Sequence, residues 1–129
     1  MRSAFQTAAI IAIVATVIAF AGCNGGRLLP GFSAMPQIDA AQGRQVIEQF
    51  RCGTCHTIPG IRGAHGVFGP PLMEFGRRSY VAGNFPNAPD VLTRWIMAPQ
   101  AMKPETAMPT LGLNENQARD AAAYLENLR

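Results

Sequence analysis

The pattern of hydrophobic and polar positions predicts a helix over residues 40–51. Its apolar positions recur at i, i+3, i+4 and i+7, a spacing that places them on one face of a helix. Asp39 precedes the stretch and suits an N-cap, because its carboxylate can accept a hydrogen bond from a free N–H of the first turn. The residues of the predicted buried face are Gly43, Val46, Ile47 and Phe50.

A second helical pattern ends the chain, between Asn114 and Leu128. Asn114 followed three residues later by Gln117 predicts a capping box at its start. Gly43 in a helix interior costs about 1 kcal/mol relative to alanine, so we expect it to admit close approach of this last helix. The apolar stripe expected opposite Gly43 consists of Ala118, Ala121, Ala122, Leu125 and Leu128.

Between these helices the pattern predicts loops and one further helix. Pro89 suits a first helical turn, and the helix runs through Ile96 before Pro99 stops it. Residues 59–71 predict a glycine-rich loop, residues 72–75 a short helical turn and residues 76–87 another loop. Since no stretch alternates for long in strand fashion, the predicted fold class is all-α.

The first 37 residues differ from the rest. Residues 1–22 read as an export segment, and their apolar run from residue 8 is shorter than the roughly 20 residues of a membrane-spanning helix. Small residues before Cys23 resemble a bacterial lipoprotein processing site, at which Cys23 would be lipidated. The alternatives are an uncleaved anchor helix and plain cleavage. Residues 24–37 predict a flexible tether, followed by a domain over residues 38–129.

Composition adds few constraints. The 129 residues suffice for one small domain with a modest core, and the net charge is +3. Lys103 is the only lysine, and the arginines are scattered rather than clustered on one face. We therefore expect no nucleic-acid binding.

The strongest chemical signal is the pair Cys52 and Cys55 followed directly by His56. This spacing is the attachment signal of a c-type haem, because both thiols can reach the two vinyl groups at one porphyrin edge. The imidazole of His56 is then held where it can ligate the iron. Three alternatives are weaker: a zinc knuckle lacks converging ligands, a thioredoxin-like pair lacks its strand–helix pattern, and a disulfide leaves His56 without a role.

A second iron ligand must come from elsewhere in the chain. Met108 is favoured, because Pro104 and Pro109 bracket it in a stiff loop that can aim its side chain at a fixed depth. A methionine in a helix is more often core filler. The candidates are Met73, Met97, Met102, Met108 and His65.

Over residues 38–129 the chain resembles a class I cytochrome c. The resemblance implies a small fold of three to four helices around one covalent haem, with the N- and C-terminal helices crossing. It also implies that Pro70 accepts a hydrogen bond from His56, that Arg77, Tyr80 and Thr106 lie near haem propionates, and that Trp95 lies beside the methionine ligand. The stretches that carry it are Gly43 with Phe50, Cys52 to His56, Gly69-Pro70-Pro71-Leu72, Phe75-Gly76-Arg77, Leu92 with Trp95-Ile96, and Pro104 to Pro109.

Residues 57–63, 69–72 and 80–83 are similar to those of short membrane-attached bacterial cytochromes c associated with haem-copper terminal oxidases. The chain departs from the family at Glu74 and Glu105, where glycine is common. The resemblance implies an electron carrier on the periplasmic side of the inner membrane. It would take electrons from a cytochrome bc-type donor and pass them to a terminal oxidase, without a small-molecule substrate.

The expected contact patch lies near Cys52 and the loops around Ile61 and Ala107. Since lysine is scarce, we expect weak salt dependence of the docking. Two other functions remain open, a fixed haem c subunit of a larger oxidoreductase and a haem sensor or peroxidase with a labile sixth ligand.

Overall fold

The computed structural model describes residues 38–129. The predictions for the export segment, Cys23 and the tether lie outside the described residues. Within the described range, no helix is both long and apolar enough to span a membrane. The helices are α1 (Ala40–Gln49), α2 (Pro89–Met97), α3 (Pro99–Met102) and α4 (Glu115–Glu126), with 3₁₀ helices at Cys52–Thr54 and Phe75–Arg77.

The predicted all-α class is confirmed, with one small addition. Strands β1 (Tyr80–Val81) and β2 (Phe85–Pro86) form an antiparallel ribbon in which Tyr80 lies opposite Pro86 and Val81 opposite Phe85. Residues 76–87 were expected to be only a loop, and two-residue strands are too short to show an alternating pattern. The amide of Asn87 closes this segment by donating to the carbonyls of Phe75 (3.1 Å) and Arg78 (3.0 Å).

Both predicted helix caps are present. The Asp39 carboxylate accepts from the backbone N–H of Ala41 at 2.7 Å. Asn114 and Gln117 accept from each other's backbone N–H at 2.9 and 3.0 Å, which completes the capping box of α4. Helix α1 ends at Gln49 rather than residue 51, because Arg51 adopts a left-handed conformation with φ of 56°.

Helices α1 and α4 cross at Gly43. A Cβ atom there would lie 1.9 Å from the carbonyl oxygen of Asp120 and 2.9 Å from Cβ of Tyr124, so only glycine permits this approach. The atoms nearest Gly43 thus belong to Asp120 and Tyr124 rather than to the alanine stripe. Of that stripe, Ala118, Ala121, Ala122 and Leu125 are buried in the core.

Helix α2 begins with Pro89 in its first turn, as predicted, and buries Leu92, Trp95 and Ile96. It ends at Met97, but Pro99 does more than stop it, because Pro99 is also the first residue of α3. A proline fits that position since the first helical N–H has no partner within the helix. Helix α3 then leads into the loop that carries Met108.

Candidate functional site

A large cavity of about 920 Å³ lies at the centre of the described residues. This is the size of a site for a cofactor, and such sites are mostly apolar with a few converging polar groups. The cavity is bounded by α1, α2 and α4 and by two irregular segments, residues 52–56 (the cysteine turn) and residues 103–109 (the Met108 loop). Its main apolar residues are Ile47, Leu72, Leu92, Ile96, Leu113 and Leu125.

The cysteine turn brings Cys52, Cys55 and His56 to this cavity together. Its backbone is tightly wound, because the N–H groups of Cys55 and His56 both donate to the carbonyl of Cys52, at 3.2 and 3.0 Å. No disulfide joins the two cysteines. Arg51, in its left-handed conformation, turns the chain from α1 into this segment.

The electrostatics of Cys52 disfavour a thiolate role. Burial raises the pKa of the Cys52 thiol. A backbone hydrogen bond lowers the pKa and the nearby Cys55 raises it, but burial is the largest effect and the net pKa is raised. Redox and metal-binding cysteines instead have a lowered pKa, because the thiolate is the reactive species. A neutral thiol at Cys52 is compatible with thioether attachment. Within residues 38–129, no group of three or more His, Cys, Asp and Glu side chains is placed to hold a metal ion.

His56 is oriented by two neighbours. Its Nδ1 lies 2.7 Å from the carbonyl oxygen of Pro70. Because a carbonyl only accepts, Nδ1 carries the proton and the Nε2 lone pair is free to bind a metal. Gly69 makes room for the ring, since a Cβ atom there would lie 2.3 Å from Cε1 of His56.

Of the five candidates for a second ligand, only Met108 lines the cavity. Met73 is 46% exposed, and His65 is an exposed residue of the glycine-rich loop. Met97 lies in a separate groove between α2 and α4, and Met102 packs against the core without reaching the cavity wall. The structure thus places one thioether in the same cavity as the histidine and both thiols.

Three other predicted site residues also lie in the cavity wall, namely Tyr80, Trp95 and Thr106. Trp95 is held by the ring of Phe85, with 6.3 Å between ring centroids. The Thr106 hydroxyl accepts from the N–H of Met108 at 3.3 Å, which ties the threonine to the methionine. Pro70 lines the cavity as well.

The structure places Arg77 outside the cavity wall and puts Arg78 in it. Arg77 instead pairs with Glu74 at 3.0 Å on the surface. The guanidinium of Arg78 donates to the carbonyls of Pro71 and Met73, and lies 5.2 Å from the centroid of the Phe75 ring. Arg78 therefore joins Arg51 in the cavity wall as an arginine available to an anionic group, whereas Arg77 does not.

The comparison with known families agrees with this geometry. The model of the cytochrome c family matches residues 40–129. The chain belongs to the cytochrome c family. Membership implies covalently bound haem c and electron transfer through it, and the helical structure is consistent with the small cytochrome c fold.

One relative extends the comparison. The chain is 36% identical over 91 residues to a protein of Alkalihalophilus pseudofirmus described as cytochrome c oxidase subunit 2. The aligned region is 70% of this chain and 26% of the relative, so the chain spans about a quarter of the relative's length. No solved structure is significantly similar to the chain.

The residues of this cytochrome c fit a covalent haem. Two thiols, a histidine with a free Nε2 and a methionine converge on one apolar cavity. The basic side chains at its wall belong to Arg51, Arg78 and Lys103, and they are suited to the carboxylates of such a group. The backbone at Gly69 lies directly against the imidazole of His56, so the backbone itself fixes the orientation of the ring.

Sequence reasoning missed Gly69, Arg78, Lys103 and Phe68 as cavity residues. For Gly69 a signal existed, because glycine precedes the Pro70 that the resemblance singled out. For Arg78 none existed, since two adjacent arginines in an irregular segment carry no pattern that tells which one faces inward.

Proposed function

We propose that this cytochrome c carries single electrons through one haem, bound covalently by Cys52 and Cys55 and ligated by His56 and Met108. The observation that carries the proposal is the position of Met108, which alone among the candidate ligands shares the cavity with the cysteine turn. Two protein ligands leave no iron position for a substrate, so the site is suited to electron transfer rather than to bond-making chemistry.

The chain's own residues tune such a site. Pro70 accepts from Nδ1 of His56, which fixes the tautomer and makes Nε2 a stronger base. The thioether of Met108 favours the ferrous state, and the apolar wall excludes water, both of which raise the reduction potential. The haem, when bound, supplies the one-electron chemistry.

Polar residues of the wall are suited to holding haem propionates. Arg78 and Lys103 carry positive charge, and Tyr80 and Thr106 carry hydroxyl groups. Arg78 is itself fixed by the carbonyls of Pro71 and Met73 and by the Phe75 ring. Because a guanidinium held in this way is pre-organised, it loses little freedom on pairing with a carboxylate.

For partners, we propose a terminal oxidase as acceptor and a cytochrome bc-type complex as donor, on the periplasmic side of the bacterial inner membrane. The printed name of the relative, a subunit of cytochrome c oxidase, supports the acceptor. The apolar run before Cys23 supports a membrane tether, by lipid or by an anchor helix. A tether would raise the effective concentration of the domain near its partner.

The docking surface is proposed around Val67 and Phe68, here called the apolar rim. Ile61, expected at the contact patch, is buried with 7% exposure, whereas Val67 and Phe68 are 84% and 90% exposed. Backbone hydrogen bonds from Gly66 to Gly53 (3.0 Å) and from Gly69 to Cys55 (2.8 Å) flank the apolar rim and fasten it to the cysteine turn. The apolar rim therefore adjoins the attachment residues.

The docking proposal is tested by the rate at which a purified haem-copper oxidase oxidises the reduced cytochrome. Val67→Ser should lower this rate about tenfold, since the partner would lose apolar contact area. Phe68 is left unchanged in this variant, because it also lines the cavity. The matched control is Ile38→Ser, because Ile38 is also exposed but lies at the groove between α2 and α4. We expect little change of rate with added salt, since uncharged side chains dominate the apolar rim.

Two results would contradict this docking surface. One is an equal loss of rate in the Ile38 control. The other is a steep fall of the rate with added salt, which would indicate steering by charges instead.

A fixed subunit of an oxidase is the second candidate. It is favoured by the relative, in which the region similar to this chain is 26% of a longer oxidase subunit. Purification from native membranes separates the two functions. A fixed subunit stays with the oxidase at one-to-one stoichiometry in mild detergent and high salt, whereas a carrier separates from it.

A further inference from the structure

The side chain of Gln100 joins α3 to the loop on both sides of Pro109. Its Nε2 donates to the carbonyl oxygen of Met108 at 2.9 Å. Its Oε1 accepts from the Thr110 hydroxyl at 2.5 Å. One amide thus uses both of its ends on residues that flank Pro109.

The support under Gln100 is firm. The preceding residue, Pro99, is among the most completely buried side chains of the described chain. Its carbonyl accepts from the N–H of Lys103 at 2.8 Å, which closes the single turn of α3. Gln100 is therefore attached to a fixed point of the core.

The Met108 loop has little support of its own. Within the described part of the chain, residues 107–112 make no backbone–backbone hydrogen bond. Pro104 and Pro109 have no N–H to donate. Besides the packing of its side chain against the core, Met108 is held by two hydrogen bonds, one from its own N–H to Thr106 and one from Gln100 to its carbonyl.

We propose that Gln100 is a positioning residue that keeps Met108 bound to the iron. By holding the Met108 carbonyl and the Thr110 hydroxyl at once, it limits how often the loop moves away and opens the sixth coordination position. The proposal rests on the proposed function, in which Met108 is the second ligand. It concerns the rate of ligand loss and not the identity of the ligand.

The experiment measures the rate at which carbon monoxide binds the ferrous, haem-loaded full chain, because binding requires Met108 to leave. Gln100→Leu removes both hydrogen bonds and should raise the rate about tenfold. Thr110→Val removes one bond and should raise it about threefold. Thr110→Ser keeps the hydroxyl and should restore the wild-type rate.

A double variant tests whether the two bonds form one unit. Because Thr110 acts through Gln100, Gln100→Leu with Thr110→Val should be no faster than Gln100→Leu alone. The control for general destabilisation is Thr93→Val, which removes the bond from the Thr93 hydroxyl to the Pro89 carbonyl (2.7 Å) in α2. It should lower the melting temperature and leave the carbon monoxide rate unchanged.

The outcomes separate the two claims. Rapid carbon monoxide binding by the wild-type protein overturns the proposed function, and with it the role of Gln100. Slow binding by both wild type and Gln100→Leu overturns the Gln100 proposal alone. An equal rate increase in Thr93→Val also overturns it, because loss of stability would then explain the effect.

Discussion

Three residues other than glycine adopt the left-handed backbone conformation in the described chain: Arg51 (φ 56°), Glu74 (φ 50°) and Ala82 (φ 52°). This conformation costs a residue with a Cβ roughly 1–2 kcal/mol. Arg51 and Ala82 lie in the cavity wall, and Glu74 directly precedes the 3₁₀ helix that leads to Arg78. The strain is therefore located at segments that shape the site.

Glu74→Gly should stabilise the folded protein by about 0.5 kcal/mol. Glycine relieves the left-handed strain, which outweighs the exposed ion pair with Arg77 and the greater freedom of the unfolded chain. The matched control is Glu105→Gly, because Glu105 has an ordinary backbone conformation. This substitution should lower the free energy of unfolding by about 0.5–1 kcal/mol. Guanidinium unfolding measures both. Equal effects of the two substitutions would show that strain at Glu74 is not the cause.

Glu126 is the last residue of α4, and burial raises the pKa of its carboxyl group. A raised pKa means that the ionised form is less favourable in the folded than in the unfolded protein. Glu126 therefore lowers stability at neutral pH, and this penalty disappears as the pH falls through the raised pKa to below the usual range of glutamate.

Glu126→Gln should accordingly raise the free energy of unfolding at pH 7 and have no such advantage near pH 3. The control is Glu115→Gln in the first turn of α4, where the carboxylate pairs with Arg119 and the helix dipole favours negative charge. That substitution should lower stability at pH 7 by about 0.3–1 kcal/mol. Chemical unfolding at several pH values measures the free energy of unfolding of both variants. If the gain from Glu126→Gln does not change with pH, burial of the carboxylate is not its cause.

At the scale of elements, the crossing of α1 and α4 holds the ends of the described chain together. Besides the contact at Gly43, the backbone N–H of Asp39 donates to the Asp120 carboxylate at 2.9 Å. The Tyr124 hydroxyl donates to the carbonyl of Pro59 at 2.7 Å, which connects α4 to the loop after the cysteine turn. The crossing therefore also supports the segment that carries His56.

Gly43→Ala should destabilise the protein by about 1–2 kcal/mol. The new Cβ meets the backbone of Asp120, which cannot move aside like a side chain, and this outweighs the higher helix propensity of alanine. Guanidinium unfolding measures the loss, and amide hydrogen exchange locates it, with faster exchange expected in α1 and α4.

The control for this variant is Gly63→Ala. Gly63 has φ of 77° with open space around it, so alanine there adds conformational strain without a steric contact. It should leave exchange in α1 and α4 unchanged. An unaltered exchange pattern in Gly43→Ala would contradict the close crossing.

The elements were predictable to the extent that they have a period or a cap. Helices α1 and α4 carry apolar stripes and side-chain caps, and both were predicted to within two residues at each end. The 3₁₀ helix Phe75–Arg77 was expected at residues 72–75, because a single turn has too few residues to show a period. The ribbon of β1 and β2 left no signal for the same reason.

At the scale of the whole molecule, the cavity wall is drawn from nearly every segment of the described chain, with large shares coming from the stretch around Cys52 to His56 and from the Met108 loop. The attachment residues were readable from the sequence, since their chemistry depends on fixed local spacing. Arg78 and the apolar rim were not, because which of two neighbouring loop residues faces inward depends on hydrogen bonds made by Asn87 and on contacts with distant segments. Met108 was readable only because prolines limit where its loop can point.

The central claim is that Met108 occupies the sixth position of a haem held by Cys52, Cys55 and His56. It is tested most directly by absorption spectra of the haem-loaded protein, oxidised and reduced, with and without carbon monoxide. We expect a reduced spectrum that shows no immediate change on adding carbon monoxide, because binding must wait for Met108 to leave, and a Met108→Ala variant that binds carbon monoxide at once. Ready binding by the wild-type protein, matching that of Met108→Ala, would contradict the account and indicate an open site suited to sensing or catalysis.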